Sequence, residues 1–238
     1  MHVTNESHGG SMGAMTIWSV LPALWRSTVG RKALVAASGL LLCLWVILHV
    51  AGNLTVFSGP AAADGYAASL RRMPAALWAV RIGLGIAAAV HIAGVASLTR
   101  ADRAAGPRHQ ARGSRASSRM EGWAARSMRV GGALLLAFVI FHVLHLTFGV
   151  TLPGFLPGHV YANLVRGLHA PVMAGVYIGA ALLLGLHLFH GLWAAIRSLG
   201  VWPDGAARRR RPAVAALSAA VALGFAAVPL AVLAGWLR

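Results

Sequence analysis

Six of the 11 histidines in this chain, His49, His91, His142, His145, His187 and His190, lie inside long apolar runs. An imidazole can act as a base, a hydrogen-bonding group or a metal ligand. Inside a bilayer an ionisable side chain is costly unless it has a partner or a task. A lone histidine in an apolar helix is ordinarily a hydrogen-bonded structural residue; six of them over four runs point to something shared. At about 1.5 Å of rise per residue, His49 lies ~22 Å from the basic end of its run, His142 ~18 Å and His145 ~22 Å. On the same scale His91 lies ~10 Å, His187 ~15 Å and His190 ~10 Å from that end. Two layers result: His49 with His142 or His145, and His91 with His187 or His190. Each layer draws one imidazole from each of two helices, the axial ligand set of a b-type haem. Zinc would ask for a tighter cluster of three or four ligands. Two haems roughly a dozen ångströms apart would carry electrons across a membrane.

These residues must be held by membrane-spanning helices. Of 238 residues, 58% are hydrophobic and 11% charged, less than half the charge of an ordinary soluble domain. About 20 apolar residues are needed to cross the hydrocarbon core. Five stretches suffice: 33–57, 75–98, 130–150, 171–196 and 213–237. The expected fold is all-α, an integral bundle of five transmembrane helices over 31–238, preceded by a polar tail and flank over 1–30. The first 16 residues do not read as a signal peptide; they read as a disordered tail, with Met12 or Met15 as alternative starts. Gly39, Gly83, Gly85, Gly94, Gly131, Gly132, Gly175, Gly179 and Gly185 fall within helices. There they permit either close helix packing or approach of a flat ring.

The net charge of +16 does not indicate nucleic acid. Sixteen of the 21 basic residues fall in the N-terminal flank, the Arg100–Arg129 segment and the Arg197–Arg211 segment, and five (Arg71, Arg72, Arg81, Arg166 and Arg238) on the opposite side. This bias predicts a cytoplasmic N-terminus and an external C-terminus. The long Arg-rich loop either stays solvated or docks a soluble partner. Residues 58–74 and 151–170 read as turn-rich external connections. Single Cys43 lies in an apolar run, where it reads as a packed side chain.

The residues around the histidines resemble the cytochrome b membrane-anchor subunit of succinate:quinone oxidoreductases (succinate dehydrogenase or fumarate reductase), in its single-subunit, five-helix, two-haem form. The likeness runs from about Arg31 to Gly200. It rests on Leu48-His49-Val50-Ala51-Gly52-Asn53-Leu54, the following Phe57-Ser58-Gly59-Pro60 with Tyr66-Ala67, and His91 ahead of Leu98-Thr99-Arg100. It continues in Phe141-His142-Val143-Leu144-His145-Leu146-Thr147, in Leu186-His187-Leu188-Phe189-His190-Gly191-Leu192-Trp193, and in Ser198-Leu199-Gly200.

The resemblance implies His49 with His142 as axial ligands of an outer haem and His91 with His187 as those of an inner one. His145 and His190 then serve as packing or supporting residues, and stand as the alternative ligands. Arg31, Arg129 and Arg197 are propionate candidates for the inner haem, Arg71 and Arg72 for the outer. Two haem b and a membrane quinone, with menaquinone expected, are the implied cofactors and substrate. FAD and iron–sulfur clusters would reside in a flavoprotein and an iron–sulfur subunit on the cytoplasmic face of a bacterial cell membrane, in a complex that leaves room for a higher oligomer. The chain would contribute electron transfer and no catalysis alone. The quinone site is not located; Asn53 and Tyr66 lie nearest the outer pair. Some two-haem relatives carry a glutamate two residues before the fourth helix's ligand. Here that position is Gly185, which argues against a glutamate-dependent proton path. Two readings compete: a haem-free anchor of the same complex, and a two-haem cytochrome b of another respiratory dehydrogenase.

Overall fold

A computed structural model describes residues 17–105, 115–200 and 207–238, with side chains at 22–105, 126–200 and 210–238. The expected disordered tail (1–16) and the middle of the Arg-rich loop lie outside the described residues. Among the described residues, eight α-helices follow one another: α1 (Ile17–Arg26), α2 (Thr28–Asn53), α3 (Pro60–Arg71), α4 (Pro74–Ala104), α5 (Arg115–His142), α6 (Val160–Leu168), α7 (Pro171–Ser198) and α8 (Ala207–Leu233). There is no strand among the described residues.

Five spans are long and apolar enough to cross a membrane: Thr28–Ser58, Pro74–Ala104, Arg126–Thr147, Pro171–Ser198 and Arg210–Leu233. The protein is a multi-pass membrane protein. Large apolar side chains such as Leu44, Leu48, Ile82, Ile86, Leu134 and Ile140 point away from the bundle. In water such a surface would be a severe liability; against lipid it is the expected one.

Local signals fix the helix ends. Ser27 caps α2 by accepting from the Gly30 amide at 2.9 Å, which satisfies one of the amides a helix start leaves unpaired. Gly30 must be glycine, because a Cβ there would lie 2.2 Å from the Leu24 carbonyl oxygen where α1 turns into α2. Pro60, Pro74 and Pro171 open α3, α4 and α7, where a missing N–H costs nothing.

The two connections read as turn-rich loops each hold a short helix, α3 and α6. α6 lays Tyr161, Leu164 and Leu168 into an apolar cluster with Val56, Val228 and Val232. Its buried Asn163 ties the preceding turn by accepting from Leu156 N (2.8 Å) and donating to Leu156 O (2.7 Å). The third span ends at Thr147, three residues before the apolar run does, because Gly149 turns the chain at φ 68°. The fifth ends at Leu233, ahead of Gly235 at φ 72°.

α2 packs against α4 and α7, and α7 packs against α5 and α8; α8 also touches α2. The four histidine-bearing helices therefore form a square in the order α4, α2, α7, α5, whose α4–α5 side is open. α8 sits outside the α2–α7 side. Close approach depends on small residues, as in other membrane bundles. Gly94 faces Val35, Gly185 faces Ala222 and Gly224 faces Val50. Cys43 is a free thiol buried with Leu188 and Val221 between α2, α7 and α8.

Candidate functional site

We call the end of the bundle that carries α3 and α6 the far end. In the far half, the rings of His49 (α2) and His142 (α5) lie 5.9 Å apart, centroid to centroid, with planes at 77°. In the near half, the rings of His91 (α4) and His187 (α7) lie 6.4 Å apart at 66°. The pairs run along the two diagonals of the square, α2 to α5 and α4 to α7. That is why each layer draws on two helices that are not adjacent in sequence.

The separation of the layers follows from two independent registers. The His91 ring sits against Gly39, and the His187 ring against Gly132. Each glycine precedes the far-layer histidine of its own helix by ten residues (Gly39 to His49, Gly132 to His142). At 1.5 Å per residue the layers are about 15 Å apart, a little more than the sequence suggested. A Cβ at Gly39 would lie 3.1 Å from His91 Cε1, and one at Gly132 3.5 Å from His187 Cε1.

The partners of each ring decide what it can do. His91 Nδ1 lies 3.1 Å from the Val35 carbonyl oxygen and 3.5 Å from Ser38 Oγ. A carbonyl only accepts, so Nδ1 carries the proton and Nε2 keeps its lone pair. Metal-binding histidines are oriented by this kind of supporting bond. His142 Nδ1 and His187 Nδ1 are buried without a hydrogen-bond partner. Buried polar atoms are rarely left so. His49 is held by rings alone: it stacks on Trp45 (5.9 Å, 11°) and tilts against Phe225 of α8 (5.6 Å).

The neighbouring histidines are occupied elsewhere. His145 is 2% exposed, stacks on Phe141 at 5.2 Å and bonds Tyr177 Oη through Nδ1 at 3.0 Å. Its other edge lies against Gly167 of α6, where a Cβ would sit 3.3 Å from Nε2. His142 and His145, three residues apart, both set their rings against Tyr177, at 5.8 Å each. Val143–Thr147 forms a π-turn in which Phe148 N bonds Val143 O. His145 also lies against Gly167 of α6, while His142 faces His49. π-turns of this kind recur at functional positions. His190 donates through Nδ1 to the Leu186 carbonyl oxygen of its own helix at 3.0 Å. It lines a cavity of about 60 Å³ beside His187.

Arg31 bridges α2 and α4 near the inner pair, donating to Ser97 Oγ at 2.8 Å, and its Nε is buried without a partner. Arg71 donates to the Gly158 carbonyl at 3.3 Å. Arg72, Arg129 and Arg197 are exposed. Tyr66 lies against Gly52, one turn from His49, and Asn53 is half-buried at the end of α2. At Gly185 even a Cβ would sit 2.8 Å from Ala222 Cβ and 3.4 Å from Ser218 O, so no longer side chain fits there.

Sequence reasoning missed Tyr177, Trp45, Phe225, Ser38 and Phe138, whose ring stacks on His142 at 5.9 Å. Tyr177 had a readable signal: a tyrosine inside an apolar run needs a partner for its hydroxyl. Phe225 had none, because nothing in a uniform apolar helix tells which face meets α2.

Among the described residues, no three His, Cys, Asp or Glu side chains converge. What converges is two opposed imidazole pairs. No family model matches the chain, and no curated protein or solved structure matches it.

Proposed function

We propose that this protein is the haem b-binding membrane anchor of a succinate dehydrogenase or fumarate reductase, passing electrons between an iron–sulfur subunit and a membrane quinone. The observation that carries the reading is the pair of diagonal histidine contacts, His49–His142 and His91–His187. The resemblance over Arg31–Gly200 names the same pairs.

The residues present fit the group. The ring centroids of His49–His142 and His91–His187 lie 5.9 and 6.4 Å apart, so each pair would hold one haem iron through its two imidazoles. His91 offers Nε2 with its lone pair free. The Nδ1 atoms of His142 and His187 are buried and unbonded, so neither ring is tied by a hydrogen bond there. Gly39 and Gly132 let the His91 and His187 rings pack directly against the backbones of α2 and α5. A bound haem supplies reversible one-electron chemistry.

The chain's own residues bind and orient. Phe225 and Trp45 hold His49 in the far layer, and the Val35 carbonyl holds His91 in the near one. Arg31, at the near end, is placed to balance an anionic propionate. The near layer faces the cytoplasm on the positive-inside pattern, next to the soluble flavoprotein and iron–sulfur subunits. The membrane is then a bacterial cell membrane. The dicarboxylate chemistry belongs to the flavoprotein, for which this chain has no residues.

A reduced-minus-oxidised spectrum of purified protein tests the reading. A b-type α-band with two haems per chain is expected; no such band would refute it. Co-purification of a flavoprotein with covalent FAD supports the succinate or fumarate assignment, whereas a molybdenum or nickel enzyme would place the chain in another respiratory dehydrogenase.

A further inference from the structure

The far end of the bundle carries an open groove of about 580 Å³ that belongs to neither histidine layer, within the usual size range of ligand sites. It forms where the start of α3, the helix α6 and the end of the chain meet. Asp64, His159, Val165, Arg166, His169 and Arg238 line it.

The charge at this place is unexpected for its side of the protein. Only five of the 21 basic residues lie on the far side. Two of those five, Arg166 and Arg238, line the groove, and a third, Arg71, bonds the carbonyl of Gly158, next to His159. Topology alone disfavours arginine on this side, and gives no reason for three of five to gather. The one acidic side chain in the lining is Asp64, whose Oδ1 accepts from Tyr161 N at 2.9 Å. Arg166 donates through Nη1 to the Gly154 carbonyl, and Arg238 through Nε to the Gly235 carbonyl at 2.7 Å. Each guanidinium keeps further N–H groups, and a planar fork of donors suits phosphate oxygens. Trp236, 81% exposed beside Arg238, is the residue type that sits at headgroup level. Val165 and Ala162 give the same groove an apolar wall.

We infer that this groove binds the phosphate head of an anionic phospholipid, with Arg166 and Arg238 as its donors. The site is independent of haem. The test uses full-length protein, delipidated in a neutral detergent, with melting temperature read against added lipid. Short-chain phosphatidylglycerol should raise Tm saturably by several degrees, as mass action requires of a ligand that binds only the folded state. Short-chain phosphatidylcholine should raise it much less. The Arg166→Gln/Arg238→Gln double variant should lose the difference between the two lipids. Arg238→Gln alone, whose side chain bonds only the Gly235 carbonyl, should fold normally and weaken phosphatidylglycerol binding several-fold. An equal response to both lipids, a difference that survives in the double variant, or unchanged phosphatidylglycerol binding in Arg238→Gln would overturn the proposal. Inorganic phosphate reproducing the full shift would also overturn it, by assigning the groove to a soluble anion.

Discussion

Replacing Gly39 with leucine should remove one haem and spare the other. A Cβ at this position lies 3.1 Å from His91 Cε1 and 3.3 Å from His91 Nδ1. Relaxed carbon contacts are about 3.5–4.0 Å, so even alanine asks the ring to retreat by roughly half an ångström. The ring has little freedom to do so, since its Nδ1 is tied to the Val35 carbonyl at 3.1 Å. Leucine adds three more carbons in the same space. Helix α2 itself does not suffer, because leucine is favoured over glycine in a helix interior by up to about 1 kcal/mol. Gly132→Ala is the matched control: its Cβ would be 3.5 Å from His187 Cε1, an ordinary contact. The assay is haem per chain, together with the redox difference spectrum, on protein that remains helical by circular dichroism. Gly39→Leu should fall from two haems to one, with the far-layer signal intact, while Gly132→Ala keeps both. If Gly39→Leu kept both haems, or lost both while folded, the assignment of the His91–His187 layer would be wrong.

Within each layer the two histidines should behave as one unit. His49→Ala and His142→Ala should lose the same haem by potentiometric titration, and His91→Ala and His187→Ala the other. His190→Ala and His145→Ala should each retain both; loss of a haem in His190→Ala but not in His187→Ala would reverse the assignment in α7. Tyr177→Phe should leave His145 Nδ1 buried and unpaired, at a cost of about 1–3 kcal/mol. It should lower Tm and disturb only the far-layer spectrum. Gly185→Glu should destabilise the α7–α8 contact by more than the roughly 1–3 kcal/mol of simple overpacking, read as a loss of Tm. Gly185→Ala should show the packing part of that loss alone.

The spans were legible because a bilayer needs a fixed length of apolar chain and the arginines fall between such lengths. The layers were legible because helix rise converts sequence position to depth, so His49 could be matched with His142 or His145 without knowing any contact. Rotation about the helix axis was not. Depth alone cannot choose His142 over His145; it is the His142 ring that lies 5.9 Å from His49, and the π-turn at Val143–Thr147 that holds His145 is announced by no local composition. α3 and α6 were hidden for a related reason. Their glycines and prolines read as turns, yet Pro60 opens a helix, and α6 holds its place through long-range bonds such as Asp64 to Tyr161 N.

The fifth span gains a meaning from the same geometry. It carries no histidine, yet 44% of its most apolar stretch is buried, against 11% for the spans of α4 and α5. Helices that keep a diagonal of the square free for opposed imidazoles cannot also pack tightly across it. α8 supplies contact from outside, through Ala222 on Gly185 and Gly224 on Val50, and reaches the far layer by placing Phe225 on His49. The demand for that contact explains why position 185 is glycine, and the same demand leaves no room there for a glutamate. Tight packing by α8 and a carboxylate at position 185 are mutually exclusive.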